Sequence, residues 1–508
     1  MTRKPQIAII GAGFGGLAAA LELKRAGVDS FVVLERASEV GGVWQANTYP
    51  GAACDVPSTI YQFSFALKRN WTRRFGSQPE IRDYLREVSI DHGIRDHVRF
   101  ETEVVAASFD EDHGRWTLEL SGGETMDVDF LICATGQLSR PRLPDVPGRD
   151  RFAGAQFHSA EWDHSVTIDG QRVVVVGGGA SAVQVVPAIA DRVAHTTVVQ
   201  RSPSWVVNKY DWSVPRLQRM LTRLLPPLHR MHHNAMWLWF ESRYPIVLRK
   251  LDPIRRLWMA ERRWTIRRTL KDPDKVRAAT PNYPMGCNRL LLSRDWYPTL
   301  AREDVDVIGS AVTEVTQTGL VTADGHRVDA DVIVWCTGFT ATEYLAPIRI
   351  TGRDGRDLRE AWKDGPEAYL GLCTPGFPNL FMSYGPNTGS LTNTIVYMLE
   401  CQAKYMRQAV DYLASDGVAW IDIRPEVHDE FNRDMQRRMQ TRVFTAGCPG
   451  WYAVDSGKVT QVWVGSHVEY GRLTRSFDPA VFEQHRLPSV TRAQRPLQGA
   501  TLSSAGHE

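Results

Sequence analysis

Short runs with no polar position alternate along this chain with longer stretches of helical periodicity, and the alternation predicts an α/β protein. Ile7-Ala8-Ile9-Ile10 is apolar throughout, the pattern of a central parallel strand buried on both faces. A helical pattern over 17–26 and a second strand over 30–34 follow it. Arg172-Val173-Val174-Val175-Val176 opens a second series of the same kind, with its next strand over 196–199. Runs at 131–134 and 332–336 each follow an aspartate, Asp129 or Asp331, and end in a Thr-Gly turn; they read as strands at which the chain leaves one unit for the other. Near the end, 380–387 reads as a last strand and turn, and 393–414 as a helix. Residues 206–283 break the rhythm. There 217–225, 231–243 and 255–270 look helical, with Pro226-Pro227, Pro245, Pro253 and Pro273 as interruptions.

Both apolar series run into glycine turns, and the turns carry the first chemical signal. Gly11-Ala12-Gly13-Phe14-Gly15-Gly16 follows the first strand. Gly11 permits the tight turn, Gly13 lets a pyrophosphate approach the backbone, and Gly16 lets helix and strand pack closely. The helix N-terminus then offers free N–H groups to phosphate. The second strand ends in Glu35, nineteen residues after Gly16. A carboxylate there accepts hydrogen bonds from ribose hydroxyls and repels a 2′-phosphate, so the expected ligand is the adenosine half of FAD. Gly177-Gly178-Gly179-Ala180-Ser181-Ala182 repeats the pattern, with Ala182 in the last place. Its following strand ends in Gln200-Arg201-Ser202, with no acid at the ribose position. Arg201 there can pair with a 2′-phosphate, which predicts NADPH over NADH. Gly177, Gly179, Ser181, Arg201 and Ser202 are therefore the expected NADP-binding residues.

Composition narrows the class. A chain of 508 residues is too long for one core and implies two or three domains. A formal net charge of +2 argues against a nucleic-acid partner. Seven scattered cysteines lack any CxxC pair or zinc-like spacing, which fits incidental thiols in a reducing, cytoplasmic setting and excludes a redox-active dithiol. His229, His232 and His233 have helical spacing but no supporting acid or cysteine cluster, so no metal is expected. No stretch approaches the length of a membrane span.

Between the two glycine turns lies Phe152-Ala153-Gly154-Ala155-Gln156-Phe157-His158-Ser159-Ala160-Glu161-Trp162-Asp163. With both turns in place, the chain resembles the class B flavoprotein monooxygenases, and most closely the type I Baeyer–Villiger monooxygenases. The linker matches that group's FxGxxxHxxxW pattern, ended by Pro or Asp, at Phe152, Gly154, His158, Trp162 and Asp163. A second match runs through Gly42-Val43-Trp44, Tyr49-Pro50-Gly51, Asp55 and Tyr61. The resemblance implies FAD and NADPH as cofactors, with Trp44, Tyr61, Val104 and Asn387 as further flavin contacts. It implies a C4a-peroxyflavin that inserts one oxygen atom from O2 beside a ketone carbonyl, giving an ester or lactone. Arg289 is the implied cation beside the peroxide, and Asp55 the group that orients it. The family's lysine before that arginine is Asn288 here, which shifts the NADP phosphate load toward Arg201. Trp451, after Cys448-Pro449-Gly450, resembles the tryptophan of a mobile loop that contacts bound nicotinamide nucleotide. His158 itself reads as a histidine that couples domain positions, and the linker as a mark of the family more than a chemical device.

The expected organisation is an FAD-binding domain in two parts (1–150 and 340–488, with a mobile loop near 445–460) and an NADP-binding domain in two parts (151–205 and 284–339). A helical insertion occupies 206–283 and a disordered tail 489–508. The insertion is basic and rich in Trp and Met; it reads as a subdomain with a solvated basic face, with a substrate lid resting on a membrane surface as the alternative. For the reaction, S- or N-oxygenation of a thioether or amine stays open beside ketone oxygenation. An uncoupled NADPH oxidase or a non-catalytic flavin binder is the second alternative. Substrate identity and oligomeric state are not written in the sequence.

Overall fold

The computed structural model describes residues 4–244, 252–415, 418–443, 452–454 and 456–486. The first part of the chain runs β1 (Ile7–Ile10), α1 (Phe14–Arg25), β2 (Phe31–Leu34), α2 (Val43–Ala46), α3 (Gln78–Asp91), β3 (Val98–Arg99), β4 (Val104–Asp110), β5 (Arg115–Leu120), β6 (Thr125–Val128) and β7 (Phe130–Cys133). The second runs β8 (Ala155–His158), β9 (Arg172–Val176), α4 (Ala180–Ile189), β10 (His195–Val199), β11 (Val206–Val207), α5 (Arg216–Leu224), α6 (Pro226–Ser242) and an unlabelled helix Asp252–Leu270. It continues through β12 (Leu291–Leu292), β13 (Val305–Ile308), β14 (Val312–Thr316), β15 (Gly319–Thr322), β16 (Arg327–Asp329) and β17 (Val332–Trp335). β18 (Arg349–Thr351) and β19 (Leu380–Met382) follow.

Two five-stranded parallel sheets form the frame, in the orders β19-β7-β1-β2-β3 and β13-β10-β9-β17-β8. The apolar runs sit at their centres because every position there must be dry. In β1, Ile7 and Ile9 point into one core cluster and Ala8 and Ile10 into another. In β9, Val173 and Val175 face one cluster while Val174 and Val176 face a second. Period-two alternation thus fills both faces of each sheet, and each buried Ile or Val contributes about 1.5–3 kcal/mol. A charge at Ile9 or Val175 would have no place to go.

Ser30 lies just outside the strand expected over 30–34. Pro226 opens α6 at its first turn instead of ending a helix, since its missing N–H is not needed there. Residues 273–279, read from the sequence as a break, form a further helix, Pro273–Ala279, capped by Asp272 through Asp274 N at 2.8 Å. The cysteines also depart from the expectation of incidental thiols. Cys287 is disulfide-bonded, whereas Cys54, Cys133, Cys336, Cys373 and Cys401 are free. Spacing along a chain does not report which sulfurs meet in space. The tail expected over 489–508 lies outside the described residues, as does half of the loop expected near 445–460.

Candidate active site

The first glycine turn is built by close backbone approach. Gly11 has φ +99°, and a Cβ there would stand 2.7 Å from the Ala134 carbonyl oxygen, at the exit of β7. A Cβ on Gly16 would stand 1.8 Å from the Gly11 oxygen. Gly13 caps α1 with no side-chain hydrogen bond, and the space where its Cβ would lie is free to 3.5 Å. The first N–H groups of α1 therefore remain available to an anion. Glu35, at the end of β2, is buried and tied down: Oε2 accepts from Ala12 N at 2.7 Å and Oε1 from Ala37 N at 2.9 Å. It holds the turn itself, and each oxygen keeps a lone pair for a ribose hydroxyl.

The second turn repeats the backbone and changes the chemistry. Gly177 has φ +133°, and a Cβ there would stand 2.2 Å from the Cys336 oxygen, at the exit of β17. Gly179 caps α4 with no side-chain bond and nothing within 4 Å of its Cβ position. After β10 the buried residue is the neutral Gln200, whose Nε2 donates to Ala278 O at 3.1 Å. Arg201 and Ser202 are exposed. Both turns fit a dinucleotide: a free helix N-terminus, a glycine cradle, and a group of opposite charge preference at each ribose end.

Side chains from several segments meet between the turns. The 49–55 loop of the first part lies on α4: Tyr49 Oη donates to Gln184 Oε1 at 2.9 Å, and Gln184 Nε2 donates to Ala53 O at 2.9 Å. Ser181 is within hydrogen-bonding reach of the same Tyr49. Asp55 ends this loop. Its ion pair is with Lys209, whose Nζ stands 3.3 Å from Oδ1 and donates to Cys54 O at 2.8 Å. Arg289 couples to Asp55 through space. Burial works against its charge, but Asp55, ahead of Tyr452, Tyr384 and Cys54, raises its pKa above the usual arginine value. Arg289 is nonetheless exposed to solvent. The close ion-pair partner of Asp55 is thus Lys209, while Arg289 meets Asp55 through space.

Backbone pairing explains the meeting. β11 and β12 run parallel, Val206 opposite Leu291 and Val207 opposite Leu292, so the segments bearing Lys209 and Arg289 lie side by side. Trp205 Nε1 donates to Tyr283 O at 2.9 Å, and Tyr283 Oη donates to Pro203 O at 3.0 Å, stitching the same two segments. Asn288 is half-buried within hydrogen-bonding reach of Tyr283.

Trp44 Nε1 donates to Tyr61 Oη at 3.1 Å, and the Tyr61 ring meets Phe14 edge-on at 5.1 Å. Burial raises the Tyr61 pKa and pushes the Cys54 thiol up to about 12, so both stay protonated near neutrality. Asn387 is buried with φ +56° and donates from Nδ2 to Val459 O at 2.8 Å and Val462 O at 3.2 Å. Its Oδ1 is a buried acceptor without a partner among the described residues. Val104 is buried in the core where β4 begins, opposite Leu120, which leaves its backbone for any flavin contact. Trp451 lies outside the described residues.

The linker motif forms the edge strand of the second sheet, with β8 beside β17 and His158 opposite Trp335. Gly154 is required because a Cβ would stand 2.3 Å from Asp331 O and 2.7 Å from the Phe152 ring. His158 is buried, its Nδ1 accepts from Ala160 N at 3.1 Å, and burial lowers its pKa. Trp162 packs edge-on to Phe157 at 5.0 Å, and the exposed Asp163 accepts from Ser165 N at 2.8 Å. Lys209 and Gln184 were not singled out in the sequence. A lysine two residues past the apolar pair Val206-Val207 was the available signal for Lys209, and it is a weak one.

Two parallel sheets, each with a glycine turn at a helix N-terminus, define an oxidoreductase with two dinucleotide folds. A family model described as pyridine nucleotide-disulphide oxidoreductase matches residues 8–236. The chain is 42% identical over 489 residues to a Baeyer-Villiger monooxygenase of Streptomyces coelicolor, covering 94% of this chain and 92% of the relative. It is 35% identical over 503 residues to a Baeyer-Villiger monooxygenase of Pseudomonas aeruginosa, covering 98% and 95%. Among solved structures it is similar to a steroid monooxygenase bound to NADP, with 28% identity, a TM-score of 0.85, and 95% of this chain and 99% of that one covered. It is also similar to OTEMO in complex with FAD and NADP, with 26% identity, a TM-score of 0.86, and 95% and 100% covered. The chain belongs to the Baeyer–Villiger monooxygenase family. Among the described residues, no helix is long and apolar enough to cross a membrane.

Proposed function

We propose that Arg289, set in the field of Asp55, is the cation at which this FAD- and NADPH-dependent Baeyer–Villiger monooxygenase adds one oxygen atom beside a ketone carbonyl. The observation that carries the reading is the parallel β11–β12 contact that sets the Arg289 segment beside that of Lys209, the ion-pair partner of Asp55, in a chain with two glycine turns of opposite charge preference. When bound, the flavin accepts hydride from NADPH and activates O2. The chain's own residues do the rest. The α1 N-terminus and Glu35 bind the flavin nucleotide, and the α4 N-terminus, Ser181, Arg201 and Ser202 bind the nicotinamide nucleotide. Asn387 Oδ1, a buried acceptor with no partner among the described residues, is a further flavin contact in this reading. Arg289 holds the negative charge that develops on the oxygen under transfer, and a guanidinium keeps its own charge throughout. Lys209 holds the loop through Asp55 and the Cys54 carbonyl, and Asp55 favours the charge of Arg289. Domain limits at 150, 205, 283 and 339 and a cytoplasmic setting belong to the same reading.

A panel containing a cyclic ketone and a thioether, with NADPH and O2, tests it by mass spectrometry. Gain of one oxygen atom by the ketone, as ester or lactone, is the expected result. Oxygenation of the thioether alone contradicts the ketone assignment, and hydrogen peroxide alone across the panel contradicts oxygenation altogether.

A further inference from the structure

Among the described residues, fifteen of the twenty large hydrophobic side chains that are exposed fall between Tyr210 and Trp264. On α5 they form a stripe, Leu217, Met220, Leu221 and Leu224, at the spacing of one helical face. The opposite face of α5 points at the protein: Thr222 Oγ1 donates to Arg69 O at 2.7 Å. α5 is therefore an amphipathic helix turned inside out, with its apolar stripe in solvent; Leu217 is 62% exposed and Leu224 68%. α6 continues the pattern. Its buried side holds His229, His233 and Glu241, while Leu228, Met231, Leu238 and Trp239 are exposed. The helix Asp252–Leu270 exposes Ile254, Leu257 and Trp258 at the same spacing.

Charge narrows what can cover this surface. The three helices carry ten arginines, of which Arg216, Arg223, Arg230, Arg256, Arg267 and Arg268 are exposed, and only three acids, Glu241, Asp252 and Glu261. Glu241 is buried against His467 at 3.0 Å, and Glu261 is paired with Arg262. A net charge of +2 for the whole chain hides this local excess. A second copy of the same face would bring arginine to arginine. The residues after 486 include Arg492 and Arg495 and the single acid Glu508, so they offer no complementary charge either. A surface with an apolar interior and negative headgroups meets both requirements at once.

We propose that the α5–α6 face and the helix Asp252–Leu270 dock this enzyme on an anionic lipid surface, with the leucine stripe in the headgroup–acyl boundary and the arginines on the phosphates. The helices lie on the surface and do not span it. This inference stands apart from the reaction proposed above.

Holoenzyme is sedimented with phosphatidylcholine vesicles with and without phosphatidylglycerol. The expected result is binding to the anionic vesicles only, weakening as salt screens the arginines. Combined Leu217→Glu, Leu221→Glu and Leu224→Glu should weaken that binding by about tenfold or more, with NADPH oxidation in free solution unchanged. No binding to either vesicle, equal binding to both, or wild-type binding by the triple variant overturns the proposal. A dimer in analytical ultracentrifugation that the triple variant abolishes also overturns it, by giving the face to a second copy.

Discussion

The two glycine turns share one backbone plan and part at the end of the next strand. In each, a positive-φ glycine packs against a carbonyl of a returning strand, Ala134 for Gly11 and Cys336 for Gly177. In the first, a buried carboxylate reaches back and holds the turn by two N–H bonds. In the second, a neutral glutamine takes the buried place, and the charged group, Arg201, stands in solvent. A charge-assisted bond inside the protein makes a rigid cradle, suited to a nucleotide that stays. An exposed arginine makes a cradle that a nucleotide can enter and leave, with its charge contribution screened by water. The same fold is thus specialised by one residue at each strand end.

Replacing the turn glycines should give the largest separation. Gly11→Val places a side chain on a carbonyl at a backbone angle valine does not tolerate, and the purified protein should carry no flavin absorbance. Gly177→Val should retain flavin but lose its reduction by NADPH. If both variants lose flavin equally, the turns are not separate sites. At the strand ends the effects are smaller. Glu35→Gln keeps the shape but leaves one N–H without an acceptor, costing about 1–3 kcal/mol, read as faster flavin loss on dialysis. Arg201→Ala should raise the KM for NADPH by about tenfold and leave that for NADH unchanged. Equal changes for both nucleotides would remove the 2′-phosphate assignment.

Those contrasts show what could be read from the chain and what could not. β1, β9 and both turns were legible because strand, glycines and strand-end residue lie within one short stretch, and local sterics dictate each. Glu35 was read as a ribose ligand; its two backbone bonds to the turn could not be, because no pattern reports where a carboxylate reaches back. Lys209 pairs with Asp55 across 154 residues, near the bridge of Arg73 to Ser213, and no local period announces that pairing. The linker motif was readable as a family mark, but its role as an edge strand depends on β17, far along the chain.

The smallest effect comes from histidines. Burial lowers the pKa of His158 in the second sheet and of His229, His232 and His233 in the insertion. Below about 6.5 the unfolded chain binds more protons at these sites than the native one. Stability therefore rises with pH from the depressed native values up to the ordinary histidine value and is level above it. Hydrogen exchange on acidification should loosen the insertion and the second sheet before the first. A first sheet that opens as early would contradict this difference.

The account rests most on Arg289 acting in oxygen transfer and not in holding the flavin. Stopped-flow reduction by NADPH, paired with product analysis on a ketone turned over by the wild type, measures both in one variant. Arg289→Ala should keep its flavin, reduce it with NADPH, and release hydrogen peroxide with no oxygenated product. Oxygenated product formed at the wild-type yield would contradict the account.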